Sequence, residues 1–297
     1  MIRKLTAADH PSVMRLLTAE PAFNAFIIGD IEHFGYEREF QQLWGEFRPV
    51  EPGAEPEPGL KTAGSDSRVP AAVLLRYHSH CVLYAPGPHD AAGFAALLGR
   101  TEGVKAFSGK AQALAVYGAL LPEASVRRLT YARLDPGSFR PSASGRPEAA
   151  RRSRPPPGPA VPPLPVIPVK ALPEDAAGIY RLRSIIPEFS GFSVSVAGIR
   201  ARLETGLGRT YLVKKRGAVI AAASTTAESS LGAVIGGVMT HPGYRRSGLA
   251  SACLRALCRE LLGESKFVCL FYDNPSAARI YRSMGFSDIG RWIMYVW

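Results

Sequence analysis

The sequence predicts an α/β fold, a mixed β-sheet flanked by helices, arranged in two halves. Three observations carry that expectation. Apolar runs of strand length alternate with amphipathic helical stretches along the 297 residues. Residues 140–168 hold ten prolines among Arg, Ser and Gly, a composition that builds no core and separates one half from the other. Near the C-terminus, a strand that stops before Pro242 leads through a basic, glycine-containing turn into a helix.

In the first half, Asp9 precedes a helix and Asn24 opens a second, to Ile31. Strands are expected at 42–47, 71–77 and 81–85, then a helix at 91–98, a strand at 104–107, a helix at 111–120 and a strand at 128–134. The Pro- and Glu-rich stretch 48–70 reads as a long surface loop between two of these strands. The second half repeats the order. A short or edge strand lies near 166–169, since Pro168 cannot donate to a ladder. A helix over 173–184 carries Glu174 and Asp175 in its first turn, and Ser195 caps another through Leu203. Strands follow at 211–214, 219–225 and 233–240, with Lys215-Arg216-Gly217 as the hairpin turn.

The densest pattern is Val238-Met239-Thr240-His241-Pro242-Gly243-Tyr244-Arg245-Arg246-Ser247-Gly248-Leu249-Ala250. Arg245, Gly248 and Ala250 satisfy R-x-x-G-x-A. Such a turn gathers backbone N–H groups at the positive end of a helix dipole, a setting suited to a pyrophosphate. Apolar residues at Leu249, Ala252, Cys253, Ala256, Leu257 and Leu261 keep helical spacing, and Gly263 is the expected stop. The run 267–272 reads as a buried strand. Asp273-Asn274-Pro275-Ser276 breaks it, a helix runs to Met284, Gly285 follows as its C′ residue, and 293–297 forms the last strand.

The segments from Val238 to Ala250 and from Phe271 to Phe286, in that order and with those intervening elements, resemble the GNAT superfamily of acyl-CoA-dependent N-acyltransferases. The resemblance covers roughly 165–297. It implies acetyl-CoA as cosubstrate, lying in the V between two parting strands, and an amine acceptor on a small molecule or a peptide. Main-chain groups of Val238, Met239 and Thr240 would pair with the pantetheine arm as an added strand. Amides of Arg245, Arg246, Ser247, Gly248, Leu249 and Ala250 would hold the pyrophosphate. Asn274 would contact the pantetheine arm or cap the next helix, and Tyr281 would protonate the leaving thiolate. The chemistry suits those types, because a phenol of pKa about 10 remains a proton donor where a thiol of about 8.5 has ionised. No metal is required. The strand 231–240 has no acid to serve as general base; Glu228 at its approach and Glu188 in the loop after the first helix of this half are the candidates. A non-catalytic acyl-CoA-binding or sensory protein is the alternative reading.

The first half contains no R-x-x-G-x-A turn and is expected to be a degenerate GNAT-like domain without CoA. The expected division is 1–139, a linker at 140–165, and a catalytic domain at 166–297. Net charge follows it: residues 1–139 carry 14 Lys/Arg against 15 Asp/Glu, whereas 169–297 carry 17 against 9. The excess steers an anionic cofactor to the second half. Nucleic acid is not the expected partner, because no DNA- or RNA-binding signature accompanies the charge. Cys81, Cys253, Cys258 and Cys269 lack metal or redox spacing and read as buried thiols of a reducing compartment. No apolar run reaches membrane-span length, so a cytoplasmic protein is expected.

Overall fold

The computed structural model describes residues 1–49, 68–141, 167–189 and 194–297. Most of the 48–70 patch, the proline-rich segment beyond residue 141 and the end of the 187–192 loop lie outside the described residues. The chain divides into two compact units, Met1–Tyr131 with Gly290–Trp297, and Ala132–Ile289.

The first unit holds β1 (Ile2–Lys4), α1 (His10–Thr18), α2 (Ala25–Phe34), β2 (Glu37–Arg38), β3 (Gln41–Pro49) and β4 (Arg68–Tyr77). It continues with β5 (His80–Tyr84), α3 (Ala91–Arg100), β6 (Ala106–Lys110), α4 (Ala111–Leu114), α5 (Tyr117–Leu120) and the start of β7 (Ser125–Leu134). Its sheet runs β1-β3-β4-β5-β6 and then β13 (Ser287–Val296), the last strand of the chain. β5 and β6 are parallel, while β13 pairs antiparallel with β6 from Trp292↔Lys110 to Val296↔Ala106. Ile293 and Tyr295 of β13 pack with Leu74, Leu83 and Phe107 against Phe94 and Leu98 of α3. That alternating apolar face explains why the closing residues belong to the first unit rather than to the 166–297 domain expected from sequence. The two short strands β1 and β2 escape a periodicity reading, and the expected helix 111–120 is two short helices, α4 and α5.

The second unit holds β8 (Val169–Lys170), α6 (Ala176–Ser184), α7 (Val196–Glu204), β9 (Thr210–Lys215), β10 (Ala218–Glu228), β11 (Gly232–Thr240), α8 (Leu249–Gly263), β12 (Phe267–Tyr272) and α9 (Pro275–Met284). Strand order is β12-β11-β10-β9-β8. β11 and β12 are parallel and the registered pairs from β11 to β8 are antiparallel, the mixed sheet that the sequence predicts. α8 buries Leu249, Cys253, Leu257 and Leu261 on one stripe, with Leu254 and Cys258 beside it. They meet Ala221, Ala223, Ala233, Ile235, Val268 and Leu270 on one sheet face. On the other face, Ile179 and Leu182 of α6 and the following Ile186 pack on Leu212, Val219, Ala222 and Met239. The run Ala221–Ala223 keeps side chains small on both faces, so helices on either side approach the same strand. All four cysteines are free and buried. Burial pushes the Cys253 and Cys258 thiols up to about 12, which leaves them unreactive packing groups. Among the described residues no helix is long and apolar enough to cross a membrane.

An ion cluster ties the last turn of α8 to the sheet. Arg209 meets Glu228 at 2.9 Å, Glu260 at 3.2 Å and Glu264 at 2.8 Å, and Lys266 meets Glu264 at 3.2 Å. Glu228 is 5% exposed and also accepts from Thr225 Oγ1 at 2.8 Å. Removing Arg209 leaves that carboxylate buried with Lys266, 3.6 Å away, as its remaining cation. Arg209→Met is therefore expected to cost about 3 kcal/mol, the low end for breaking a buried pair. Urea denaturation of the full chain measures this, and a loss below about 1 kcal/mol would show the cluster to be solvated.

Candidate functional site

The site starts where β11 leaves β12. The two strands pair from Gly232↔Phe267 to Ile235↔Leu270 and no further, although β11 runs on to Thr240 and β12 to Tyr272. On its other side β11 stays paired with β10 as far as Thr240↔Ala221. Between Ser224↔Gly236 and Ala222↔Met239, two β11 residues, Gly237 and Val238, oppose the single Ala223. This is a β-bulge, and Gly237 takes φ +63° there, a conformation for which glycine has no Cβ penalty. The bulge kinks β11 where it parts from β12 and leaves an open strand edge facing the gap.

The chain then turns through Pro242–Tyr244. His241 Nδ1 accepts from the Gly243 amide at 3.1 Å, its ring meets Tyr244 edge-on at 5.4 Å, and Lys215 lies over the Tyr244 ring at 4.8 Å. These contacts fix the turn from which α8 springs. Gly248 is the N-cap of α8, at φ +82°, and supplies no side-chain cap. The first amides of any α-helix lack intrahelical partners. Among the described residues, those of Gly248, Leu249, Ala250 and Ser251 find no other acceptor. The contrast lies within the unit, where Ser195 caps α7 and Asn274 caps α9. A fifteen-residue helix thus presents a bare positive end beside the open edge of β11.

The residues singled out from sequence divide by what they offer. Leu249 buries its side chain in the core and leaves only its amide. Met239 packs on the α6 side of the sheet, so its contribution is main-chain too. Val238 and Thr240 are half-buried on the open edge. Ser247 turns its hydroxyl back onto the Tyr244 carbonyl. Arg246, at φ +64°, is exposed, and Arg245 pairs with Glu188 at 3.3 Å. Asn274 Oδ1 accepts from the Ser276 amide at 2.8 Å, which leaves its Nδ2 available. Tyr281 of α9 is 8% exposed, packed between Tyr272 at 5.7 Å and Phe286 at 5.9 Å. Its hydroxyl has no hydrogen-bond partner among the described residues. Burial, and then the charge of Asp273, push it up to about 12, so it stays protonated over any physiological range.

Residues 200–295 match the family model described as GNAT acetyltransferase. That stretch of the second half is similar to the GNAT acetyltransferase family. Solved structures of similar fold extend over its whole length. A tandem GNAT protein from the clavulanic acid biosynthesis pathway is 16% identical, with a TM-score of 0.56 over 99% of this chain and 97% of that one. A Drosophila protein is 12% identical, with a TM-score of 0.62 over 100% and 98%. A GNAT-family acetyltransferase from Colwellia psychrerythraea is 12% identical, with a TM-score of 0.51 over 100% and 99%. No curated protein sequence matches the chain.

Within the matched stretch, Glu228 is tied into the protein through both carboxylate oxygens. One oxygen accepts from Thr225, and the other meets Arg209 and Lys266, all within the ion cluster at the last turn of α8. Both of its oxygens are engaged there, which gives Glu228 a structural role in tying the end of α8 to the sheet. Glu188 is well exposed beside Arg245.

In the first unit the same succession ends in a capped helix. α3 follows β5 as α8 follows β11, yet Asp90 caps it, accepting from the Gly93 amide at 2.8 Å. The Asp90 amide is itself taken by Glu46 at 2.8 Å. A carboxylate of the chain fills the place that Gly248 leaves bare. Tyr117 of α5 is fully buried, stacked on His89 at 5.8 Å and bonded to its Nε2 at 3.1 Å. Sequence reasoning missed Arg183, Ser224 and the bulge at Gly237; the Gly236-Gly237 pair inside a strand pattern was the signal available for the last.

Proposed function

We propose that the second unit transfers an acetyl group from acetyl-CoA directly to a primary amine. The observation that carries this reading is the bare N-terminus of α8 next to the unpaired edge of β11. The amides of Gly248, Leu249, Ala250 and Ser251, with Arg246 beside them, suit two phosphates. Val238 and Thr240 offer main-chain groups to an extended amide-bearing arm, as an added strand does, and Asn274 Nδ2 is a further donor. When bound, acetyl-CoA supplies an activated thioester carbonyl. The bulge places the Val238 amide outside the regular ladder, where it can stabilise negative charge developing on that carbonyl oxygen. Tyr281, protonated and unpartnered, donates the proton that a departing thiolate requires. Holding the amine against the thioester provides most of the rate, and its proton leaves through water or through Glu188. The residues call for no metal.

The absence of an acid on β11, with Glu228 committed elsewhere, keeps a non-catalytic acyl-CoA-binding protein as the second reading. Calorimetry with acetyl-CoA followed by thiol release across an amine panel separates the two: binding without turnover on any amine assigns the second.

Gly248→Glu puts bulk and negative charge at the helix end, and the acetyl-CoA Kd is expected to rise at least about 100-fold, more than 2.7 kcal/mol. Normal binding would place the phosphates elsewhere. Tyr281→Phe is expected to lower kcat about 10²- to 10⁴-fold while the acetyl-CoA Kd holds. Because the phenol titrates only near pH 12, wild-type kcat/KM should climb as the acceptor amine deprotonates and show no alkaline fall below about pH 11. A decline near pH 10 would remove Tyr281 as the acid.

A further inference from the structure

Arg183 lies at the end of α6 and is half-buried. Its guanidinium sits over the Phe189 ring at 4.6 Å. It has no hydrogen bond or ion pair among the described residues. A guanidinium stacked on a ring uses its face, and its five N–H groups remain in plane and free to donate. Burial lowers its pKa from the ordinary arginine value, so desolvation is already disfavouring the charge. Taking a cation out of water without a partner is costly, and such groups concentrate where a ligand completes them.

The direction it faces is informative. The position a Cβ would take at Gly237 lies 4.0 Å from Arg183 Nη1 and 3.8 Å from Ser224 Oγ. Ser224 accepts from Thr210 Oγ1 at 2.8 Å, and its own proton has no acceptor among the described residues. Two uncommitted donors, one of them cationic, therefore bracket the space left by the missing side chain at the bulge. That space adjoins the point where β11 parts from β12. Glu188 and Glu228, the two acids that the sequence offers as bases, are held by Arg245 and Arg209. The groups bracketing the bulge are donors, and donors match an anion.

We propose that the acceptor amine also carries a carboxylate, which Arg183 and Ser224 bind above Gly237. The proposal rests on the acetyltransferase reading and adds the class of acceptor. One guanidinium fork and one hydroxyl fit the two oxygens and single charge of a carboxylate. Arg183 is then a specificity-determining residue that orients the amine, with no part in proton transfer.

The test pairs amino acids and short peptides with their C-terminal amides in a thiol-release assay, using wild type, Arg183→Met, Arg183→Lys and Ser224→Ala. Calorimetry of the same acids on CoA-saturated protein supplies a readout free of turnover. Wild type should prefer an acid over its amide by about 10- to 100-fold in kcat/KM, the worth of one charged hydrogen-bonded contact. Arg183→Met should erase the preference through KM for the acid, Arg183→Lys should restore part of it, and Ser224→Ala should weaken it less. Acetyl-CoA affinity and the thermal midpoint serve as controls on folding. Equal use of acids and amides, a preference that survives Arg183→Met, or failure of every acid overturns the proposal. Loss of acetyl-CoA binding in the wild type overturns instead the reading beneath it.

Discussion

The parting of β11 from β12 is the constraint on which the site depends. A parallel ladder that continued to Thr240 would satisfy every backbone group on that edge and leave no place for an extended ligand. Four residue pairs hold the strands together and then the ladder stops. The bulge at Gly237 and Val238 redirects β11 while β10 still supports it from the far side. The gap is thus rigid on one side and open on the other, as a preorganised site requires. The groups proposed to act in acyl transfer gather around that gap or at the helix that follows it.

The contrast between the two units shows how little separates an open helix end from a closed one. Both place a helix after a strand and a turn. In one, an N-cap glycine contributes no acceptor and the amides are left bare. In the other, the Asp90 carboxylate accepts from the Gly93 amide and Glu46 takes the amide of Asp90 itself. The backbone chemistry is identical, and a few oxygens decide whether a foreign phosphate has anything to gain.

Local patterns made much of this legible in the sequence. The α8 stripe at Leu249, Cys253, Leu257 and Leu261, the glycine turn before it, the Asn274-Pro275 start and the Gly285 stop are each encoded within a few residues. What stayed hidden depends on distant partners. Glu228 read as a free acid because nothing near it in sequence announces Arg209 and Lys266, which reach it from just before β9 and from beyond α8. Arg183 went unremarked because Phe189 and Gly237 come to it only in three dimensions. The last strand read as part of the second half because apolar alternation fixes which face is buried and not which sheet receives it.

The placement of β13 bears on how the molecule is made. The first unit contains a ladder that β13 completes, with Ile293 and Tyr295 in its core. Until then β6 carries an unfilled hydrogen-bonding edge, and Phe107 and Tyr117 lack apolar neighbours supplied from nearly two hundred positions downstream. Folding of the first unit is therefore a strongly non-local event that requires closure of the long loop between β6 and β13.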